Sequence, residues 1–185
     1  MRTTILGAMA LLLTCTPMIS AEEADDRLDV GDYIPSYAST KCGGVDDGVA
    51  VGKTTCYTCR SGPEPIFYIF AARRNAALAK LTKEIDALVL AKQKKNAAAV
   101  INFLGDPEDE TLRKEVVQFG DKNALKNVAL TITADGSKFD LGGKDEVTVI
   151  LFEKGVVRLR NSATAGRLDD DTVESIIRRS KALLN

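Results

Sequence analysis

The stretch Ile66-Phe67-Tyr68-Ile69-Phe70 decides the fold. Aromatic and β-branched residues fill all of its positions, and no polar residue alternates with them. Such a run is typical of a strand that is buried on both faces of a sheet. Pro63 and Pro65 lie just before it and separate it from the preceding loop. We therefore predict a central strand at residues 66–70.

A helix is predicted directly after this strand. Asn75 can accept a hydrogen bond from the first helical turn, and the helix is expected to end near residues 94–96, where cations suit a helix C-terminus. A second buried strand follows at residues 98–104. The apolar residues of the helix recur at the helical period, namely Leu78, Leu81, Ile85, Leu88 and Val89.

The next segment predicts a second helix. Asp106 and Pro107 favour a helix start, because Pro is common at the first helical position, and Gly120 is expected to end the helix. Residues 128–133 predict a further strand. The strands at residues 66–70 and 98–104 and the two predicted helices form a complete β-α-β-α unit, to which residues 128–133 do not belong.

The C-terminal part predicts a hairpin and a last helix. Strands at residues 147–152 and 156–159 flank the tight turn Glu153-Lys154-Gly155. Asp171-Thr172-Val173-Glu174 has the pattern of a capping box that opens the last helix. Between residues 30 and 60 the chain predicts loops, with one short strand or hairpin at Val49-Ala50-Val51.

Composition limits the function classes. A length of 185 residues with 45% hydrophobic and 28% charged residues indicates one globular domain. Lys+Arg 25 against Asp+Glu 26 leaves a net charge of -1, so no basic field favours nucleic acid. The chain has no histidine, which excludes Ser-His-Asp and Cys-His nucleophile pairs and histidine zinc sites.

The N-terminus has the pattern of a secretory signal peptide. Arg2 precedes a short apolar centre at residues 5–13, and Ala21 supplies a small residue at the predicted cleavage site. We predict a signal peptide at residues 1–21, a folded domain at residues 22–184, and an exported protein whose mature chain has no membrane span. An uncleaved N-terminal anchor is the alternative.

Two local strings suggest a family. Val30-Gly31-Asp32-Tyr33-Ile34-Pro35 resembles the opening of the redoxin and peroxiredoxin branch of the thioredoxin-like superfamily. The segment from Thr148 to Val157 resembles the strand-turn-strand that closes thioredoxins. The resemblance covers about residues 28–184. It implies an α/β thioredoxin-like fold, in which helices flank a central mixed β-sheet.

The usual thioredoxin active site is missing from this frame. In that family a reactive Cys-x-x-Cys follows the central strand, but here Ala71-Ala72-Arg73-Arg74-Asn75 occupies that place. The cis-proline of the family falls at about Val147, and the chain has no tryptophan. The position of Arg73 and Arg74 could suit an anion, although two solvated loop cations are the simpler interpretation.

A displaced Cys-x-x-Cys, Cys56-Tyr57-Thr58-Cys59, precedes the central strand. Arg60 and the nearby Lys53 favour the thiolate that attacks other disulfides, so Cys56 and Cys59 are the candidate catalytic residues. The surrounding Gly-Ser-Pro-rich sequence gives no sign of a helix start behind the motif. Its expected partners are protein thiols or disulfides.

The competing interpretation is a structural disulfide among Cys42, Cys56 and Cys59. A bridge from Cys42 to Cys56 closes the longer loop and is worth about 3 kcal/mol, against about 2 kcal/mol for Cys56 to Cys59. A zinc site is disfavoured because it needs a fourth ligand, and we expect no metal and no cofactor.

Two functions remain open from the sequence. The first is an exported protein that exchanges thiols and disulfides through Cys56 and Cys59, a thiol-disulfide oxidoreductase. The second is a redox-inactive member of the fold, in which a disulfide only stabilises the chain. That protein would bind a partner through the surface near Arg73 and Arg74 and the closing hairpin. The sequence identifies neither the partner nor the oligomeric state.

Overall fold

The computed structural model describes residues 28–134, 136, 139, 145–164 and 166–185, so the predicted signal peptide lies outside the described residues. The strands are β1 (Ala38–Gly44), β2 (Thr54–Cys56), β3 (Ile66–Ala71), β4 (Ala98–Leu104), β5 (Ala129–Thr133), β6 (Asp145–Glu153) and β7 (Val156–Thr164). The helices are α1 (Tyr57–Ser61), α2 (Ala76–Ala91), α3 (Glu110–Lys122) and α4 (Asp170–Leu183), with a 3-10 turn at Gln93–Lys95.

These strands form one mixed sheet in the order β2-β1-β5-β4-β3-β6-β7. Strand β3 is parallel to β4 and antiparallel to β6, so Ile66 pairs with Ala98 on one side and with Phe152 on the other. The prediction of a central strand at residues 66–70 and of a mixed α/β sheet is therefore confirmed.

Strand β3 is apolar throughout because both of its faces are covered. Phe67 and Ile69 pack in the core beneath α2, α3 and α4. Tyr68 and Phe70 point to the opposite face, into an aromatic cluster that also holds Tyr57 of α1. Burying a large apolar side chain contributes about 1.5–3 kcal/mol, which explains why no polar residue interrupts this strand.

The predicted start of α2 is confirmed, whereas the predicted bounds of α3 are wrong. The Asn75 side chain accepts a hydrogen bond from the Leu78 amide at 2.9 Å. Helix α3 is capped by Asp109, whose carboxylate accepts from the Thr111 and Leu112 amides, and not by Asp106. Gly120 lies inside α3 because its missing side chain makes room for Leu130: a Cβ there would come within 2.3 Å of Leu130.

Two further local predictions need correction. Helix α4 begins after Asp169, which accepts from the Thr172 amide at 2.9 Å, so the capping box predicted from Asp171 does not form. Residues 49–51 lie in the connection of a hairpin, and the strands lie on either side of them as β1 and β2. None of the helices in the described part of the chain is long and apolar enough to cross a membrane.

Candidate functional site

The structure joins two of the three cysteines of the predicted mature chain. A disulfide connects Cys56, the last residue of β2, to Cys59 in α1, with 5.3 Å between their Cα atoms. Cys42 remains a buried thiol in the core that α3 covers. The longer bridge from Cys42 to Cys56 is therefore not formed, and the two bonded sulfurs are not available as thiolate ligands for a metal.

The disulfide encloses the start of α1, a helix that the sequence analysis did not predict. Cys56 precedes the helix with extended backbone angles, φ -92 and ψ 99. The Cys59 amide donates to Cys56 Sγ at 3.1 Å. An N–H group aimed at this sulfur stabilises negative charge on it, so the geometry favours a Cys56 thiolate when the disulfide opens.

The two sulfurs belong to residues that differ in exposure. Cys59 is exposed, whereas Cys56 is half-buried at the end of the edge strand β2. An incoming thiolate must approach the sulfur that it attacks. Access therefore favours attack at Cys59, with Cys56 as the leaving group.

Helix α1 is anchored on the sheet by its buried face. The Tyr57 side chain packs with Ile66 at the start of β3. The hydroxyls of Thr58 and Tyr68 lie 3.0 Å apart, and the Ser61 hydroxyl donates to the Thr58 carbonyl. Burial, and secondarily the carboxylate of Asp47, raises the pKa of Tyr57, so this phenol stays neutral at physiological pH.

Asp47 connects the loop after β1 to α1. Its carboxylate accepts from the buried ammonium of Lys41 at 2.5 Å, and its carbonyl oxygen accepts from the Arg60 guanidinium at 3.0 Å. Burial alone would raise the pKa of Asp47, but the hydrogen bonds from Lys41 and the Val49 amide outweigh it and lower that pKa. The contact fixes Arg60, the residue that follows Cys59.

Sequence reasoning missed the pair of Lys41 and Asp47. Lys41 is only 3% exposed although it is a lysine in a Thr- and Gly-rich segment. Asp47 is one acid among several polar loop residues, and spacing does not mark it as a partner. No pattern in the sequence signals a buried ion pair between two neighbouring segments of this kind.

The position that thioredoxins use for their chemistry lies at the other end of β3. Here Arg74 forms an ion pair with Glu115, and its guanidinium lies 6.0 Å from the centre of the Phe103 ring. Arg73 is exposed. Both residues are exposed, as the interpretation as solvated loop cations predicts, but Arg74 also pairs with Glu115. A six-residue strand spans about 17 Å, which separates this edge from the start of β3 beside α1.

Comparisons place this architecture among known folds. No protein-family model and no curated protein matches the sequence. A candidate thiol:disulfide interchange protein DsbE from Chlorobium tepidum is similar in structure, with a TM-score of 0.59, 17% identity, and coverage of 85% of this chain and 99% of that one. A candidate protein disulfide isomerase from Bacteroides thetaiotaomicron has a TM-score of 0.60, 16% identity, and coverage of 85% and 91%.

Peroxidoxin BcpB from Mycobacterium tuberculosis gives a similar match, with a TM-score of 0.62, 13% identity, and coverage of 85% of this chain and 99% of that one. At such identities the likeness concerns the fold and not the activity. The predicted resemblance is confirmed at that level: the described chain has a thioredoxin-like fold, as redoxin- and peroxiredoxin-type proteins do.

Proposed function

We propose that this chain is an exported thiol-disulfide exchange protein whose redox pair is Cys56 and Cys59. The observation that carries the proposal is the disulfide between these residues, of which Cys59 is exposed and Cys56 is half-buried next to an amide donor. This disulfide closes a loop of residues 56–59 alone, so it stabilises the folded chain by only about 2 kcal/mol. The expected substrates are thiols of other proteins.

The first step is attack by a substrate thiolate on Cys59 Sγ. A new bond forms between the substrate sulfur and Cys59, and the bond between Cys56 and Cys59 breaks. The electron pair leaves with Cys56 Sγ as a thiolate, which the Cys59 amide stabilises and which then takes up a proton from water.

In the second step, a second thiolate of the substrate attacks its own sulfur in the mixed disulfide. The substrate is released as a disulfide, and Cys59 leaves as a thiolate. Two substrate thiols are oxidised and one protein disulfide is reduced, so the electrons balance. A disulfide of another protein or of a small thiol reoxidises the pair by the reverse steps.

Export is supported by the N-terminal pattern of a charged residue, an apolar centre and a small residue at position 21. An oxidising compartment would maintain the disulfide. Expression in a bacterial host, followed by N-terminal sequencing of the protein from the periplasmic extract, is expected to yield a chain that begins at Glu22. Recovery of the protein only with an intact Met1 in the cytosol would contradict export.

Trapping of the mixed disulfide tests the exchange mechanism. Cys56→Ser removes the resolving sulfur and is expected to leave a stable mixed disulfide on Cys59 when the protein meets a disulfide substrate. Cys59→Ser is expected to trap at least tenfold less adduct, because Cys56 is less accessible. Mass spectrometry after non-reducing digestion identifies the trapped residue.

The matched control is Cys42→Ser, which is expected to leave the rate of exchange with a reduced model protein unchanged. Unchanged exchange in Cys56→Ser, or a midpoint potential below about −300 mV for the pair, would contradict the proposal. Either result would favour the second function open from the sequence, a redox-inactive protein in which this disulfide is structural.

A further inference from the structure

A cavity of about 400 Å³ opens at the edge of the sheet where three parallel strands begin. The first residues of β3, β4 and β5, namely Ile66, Ala98 and Ala129, all line it. Tyr57 and Arg60 of α1 also contribute to its wall. The volume falls at the lower end of the range of about 300–1,000 Å³ that small-molecule sites occupy.

The inner surface of the cavity is apolar. Ile66, Val100 and Ala129 are 2%, 1% and 1% exposed, so their side chains form a nearly dry floor. Tyr57 adds an aromatic ring from α1. The apolar surface that a ligand can still cover belongs to the partly buried Val45 and Ala98, and its burial contributes about 25 cal/mol per Å².

The outer wall carries two opposite charges that no ion pair uses. The Arg60 guanidinium donates one hydrogen bond to the Asp47 carbonyl. Glu64 is half-buried. Neither side chain belongs to an ion pair within the described ranges of the chain. Because Glu64 lines the cavity and belongs to no ion pair in the described residues, its carboxylate can accept a cationic group of a ligand. Asp47 also lines the wall, but Lys41 already neutralises it.

We propose that this cavity binds an apolar amino acid or short peptide that carries free ammonium and carboxylate groups. Arg60 holds the carboxylate, Glu64 holds the ammonium, and the apolar side chain packs on Val45 and Ala98. A neutral apolar ligand would leave both charges unmatched, and an apolar acid would leave the Glu64 carboxylate without a partner. The cavity borders the disulfide, since Tyr57 and Arg60 lie on either side of Cys59, but binding there does not require thiol-disulfide exchange.

The other large grooves suit this ligand less well. The groove between α2 and α3 has a volume of about 660 Å³, but Lys80, Lys83 and Lys122 line it together with Arg74. Glu115 also lines this groove, but it is already paired with Arg74, so the groove keeps an excess of positive charge. In the cavity beside α1, by contrast, the opposite charges of Arg60 and Glu64 belong to no ion pair within the described part of the chain.

Isothermal titration calorimetry of the oxidised protein with leucyl-leucine tests the proposal. The dipeptide is expected to bind, and N-acetyl-leucyl-leucine amide, which lacks both charges, is expected to bind at least tenfold more weakly. No heat of binding with leucyl-leucine at millimolar concentration would overturn the proposal. Equal affinities for the two compounds would overturn the charge assignment and with it the proposal.

Variants then assign each charge. Arg60→Gln is expected to weaken leucyl-leucine about tenfold, yet to leave the affinity for leucyl-leucine amide unchanged, since that compound has no carboxylate. Glu64→Gln is expected to leave the affinity for N-acetyl-leucyl-leucine unchanged while weakening the free dipeptide. Arg158→Gln, at an exposed site on β7, is the matched control and should leave all affinities unchanged.

Filling the cavity gives a third measurement. Ala98 is partly exposed to the cavity, so Ala98→Leu should occupy its space and abolish binding while the unfolding transition remains cooperative. If Ala98→Leu does not fold, Ala98→Val takes its place and is expected to weaken the dipeptide at least threefold. An unchanged affinity in whichever of these two variants folds would place the ligand elsewhere and overturn the proposal.

Discussion

The buried ammonium of Lys41 makes Asp47 important for stability. Lys41 is 3% exposed and has the Asp47 carboxylate at 2.5 Å. Removal of one partner leaves an uncompensated buried charge, so Asp47→Ala is expected to lower the free energy of unfolding by about 3 kcal/mol. Asp46→Ala, at the exposed neighbouring position, is the matched control and should cost less than about 1 kcal/mol. Urea unfolding at pH 7 measures both, and equal losses would contradict this role.

The same carboxylate predicts a pH dependence. The pKa of Asp47 is lowered in the fold, so its contribution is fully present above the ordinary aspartate pKa of about 4 and is lost as the pH falls through the lowered value. The difference in unfolding free energy between the wild type and Asp47→Ala is expected to stay constant from pH 7 to pH 5. It should shrink below about pH 4. A difference that is unchanged at pH 3 would contradict the assignment.

The thiol of Cys42 is expected to be inert in the folded protein. Burial raises the pKa of Cys42, and the positive charge of Arg113 opposes this only in part. Iodoacetamide at pH 8 should therefore label Cys42 at least tenfold more slowly in the native protein than in urea. Mass spectrometry of timed samples follows the reaction. Equal rates in both states would show that this site opens freely.

The sequence predicted the cysteines of the site but not which two of them are bonded. The Cys56-x-x-Cys59 motif was visible, but loop entropy alone favoured a bridge from Cys42. The fold decides otherwise because Cys42 points into the core under α3, whereas Cys56 and Cys59 flank the start of α1. The direction in which each cysteine side chain points depends on the folded chain, and the spacing of the cysteines along the sequence does not reveal it.

At the scale of elements, the choice of cap can be tested on α3. Asp109→Ala removes the acceptor for the Thr111 and Leu112 amides and is expected to cost about 1 kcal/mol. Asp106→Ala removes one hydrogen bond from the Glu108 amide outside the helix and should cost less than half as much. Thermal unfolding of both variants gives the comparison. A larger loss for Asp106→Ala would contradict the observed start of α3.

Elements with strong apolar patterns were predicted well, and those with ambiguous ends were not. Strand β3 is a continuous apolar run, which suits a strand buried on both faces. The apolar residues of α2 recur at the helical period, which suits a helix. The starts of α3 and α4 lie in sequences with several acids, such as Asp169-Asp170-Asp171, each of which is a good cap. The short helix α1 depends on its packing against Ile66 and Tyr68 and on the disulfide. The helix propensity of residues 57–61 does not reveal either of these contacts.

For the whole molecule, the order of elements along the chain predicted the fold class but not the complete sheet. The β-α-β-α unit, the hairpin and the last helix followed from local patterns. The hairpin of β1 and β2, and its attachment to β5, depends on pairing between distant residues such as Thr40 and Ile132. This attachment matters for the site, because it places Cys56 at one edge of the sheet.

The two ends of β3 lie on opposite sides of the sheet. A variant can show which of these two ends carries the chemistry. Arg74→Ala removes the cation at the edge that thioredoxins use, about 17 Å along β3 from the Cys56–Cys59 side. Because the pair with Glu115 is partly exposed, the loss of unfolding free energy should be at most about 1 kcal/mol. The rate of thiol-disulfide exchange is expected to stay within twofold of the wild type, whereas Cys56→Ser stops turnover. A tenfold loss of exchange in Arg74→Ala with the disulfide intact would place the chemistry near Arg74, at the C-terminal end of β3.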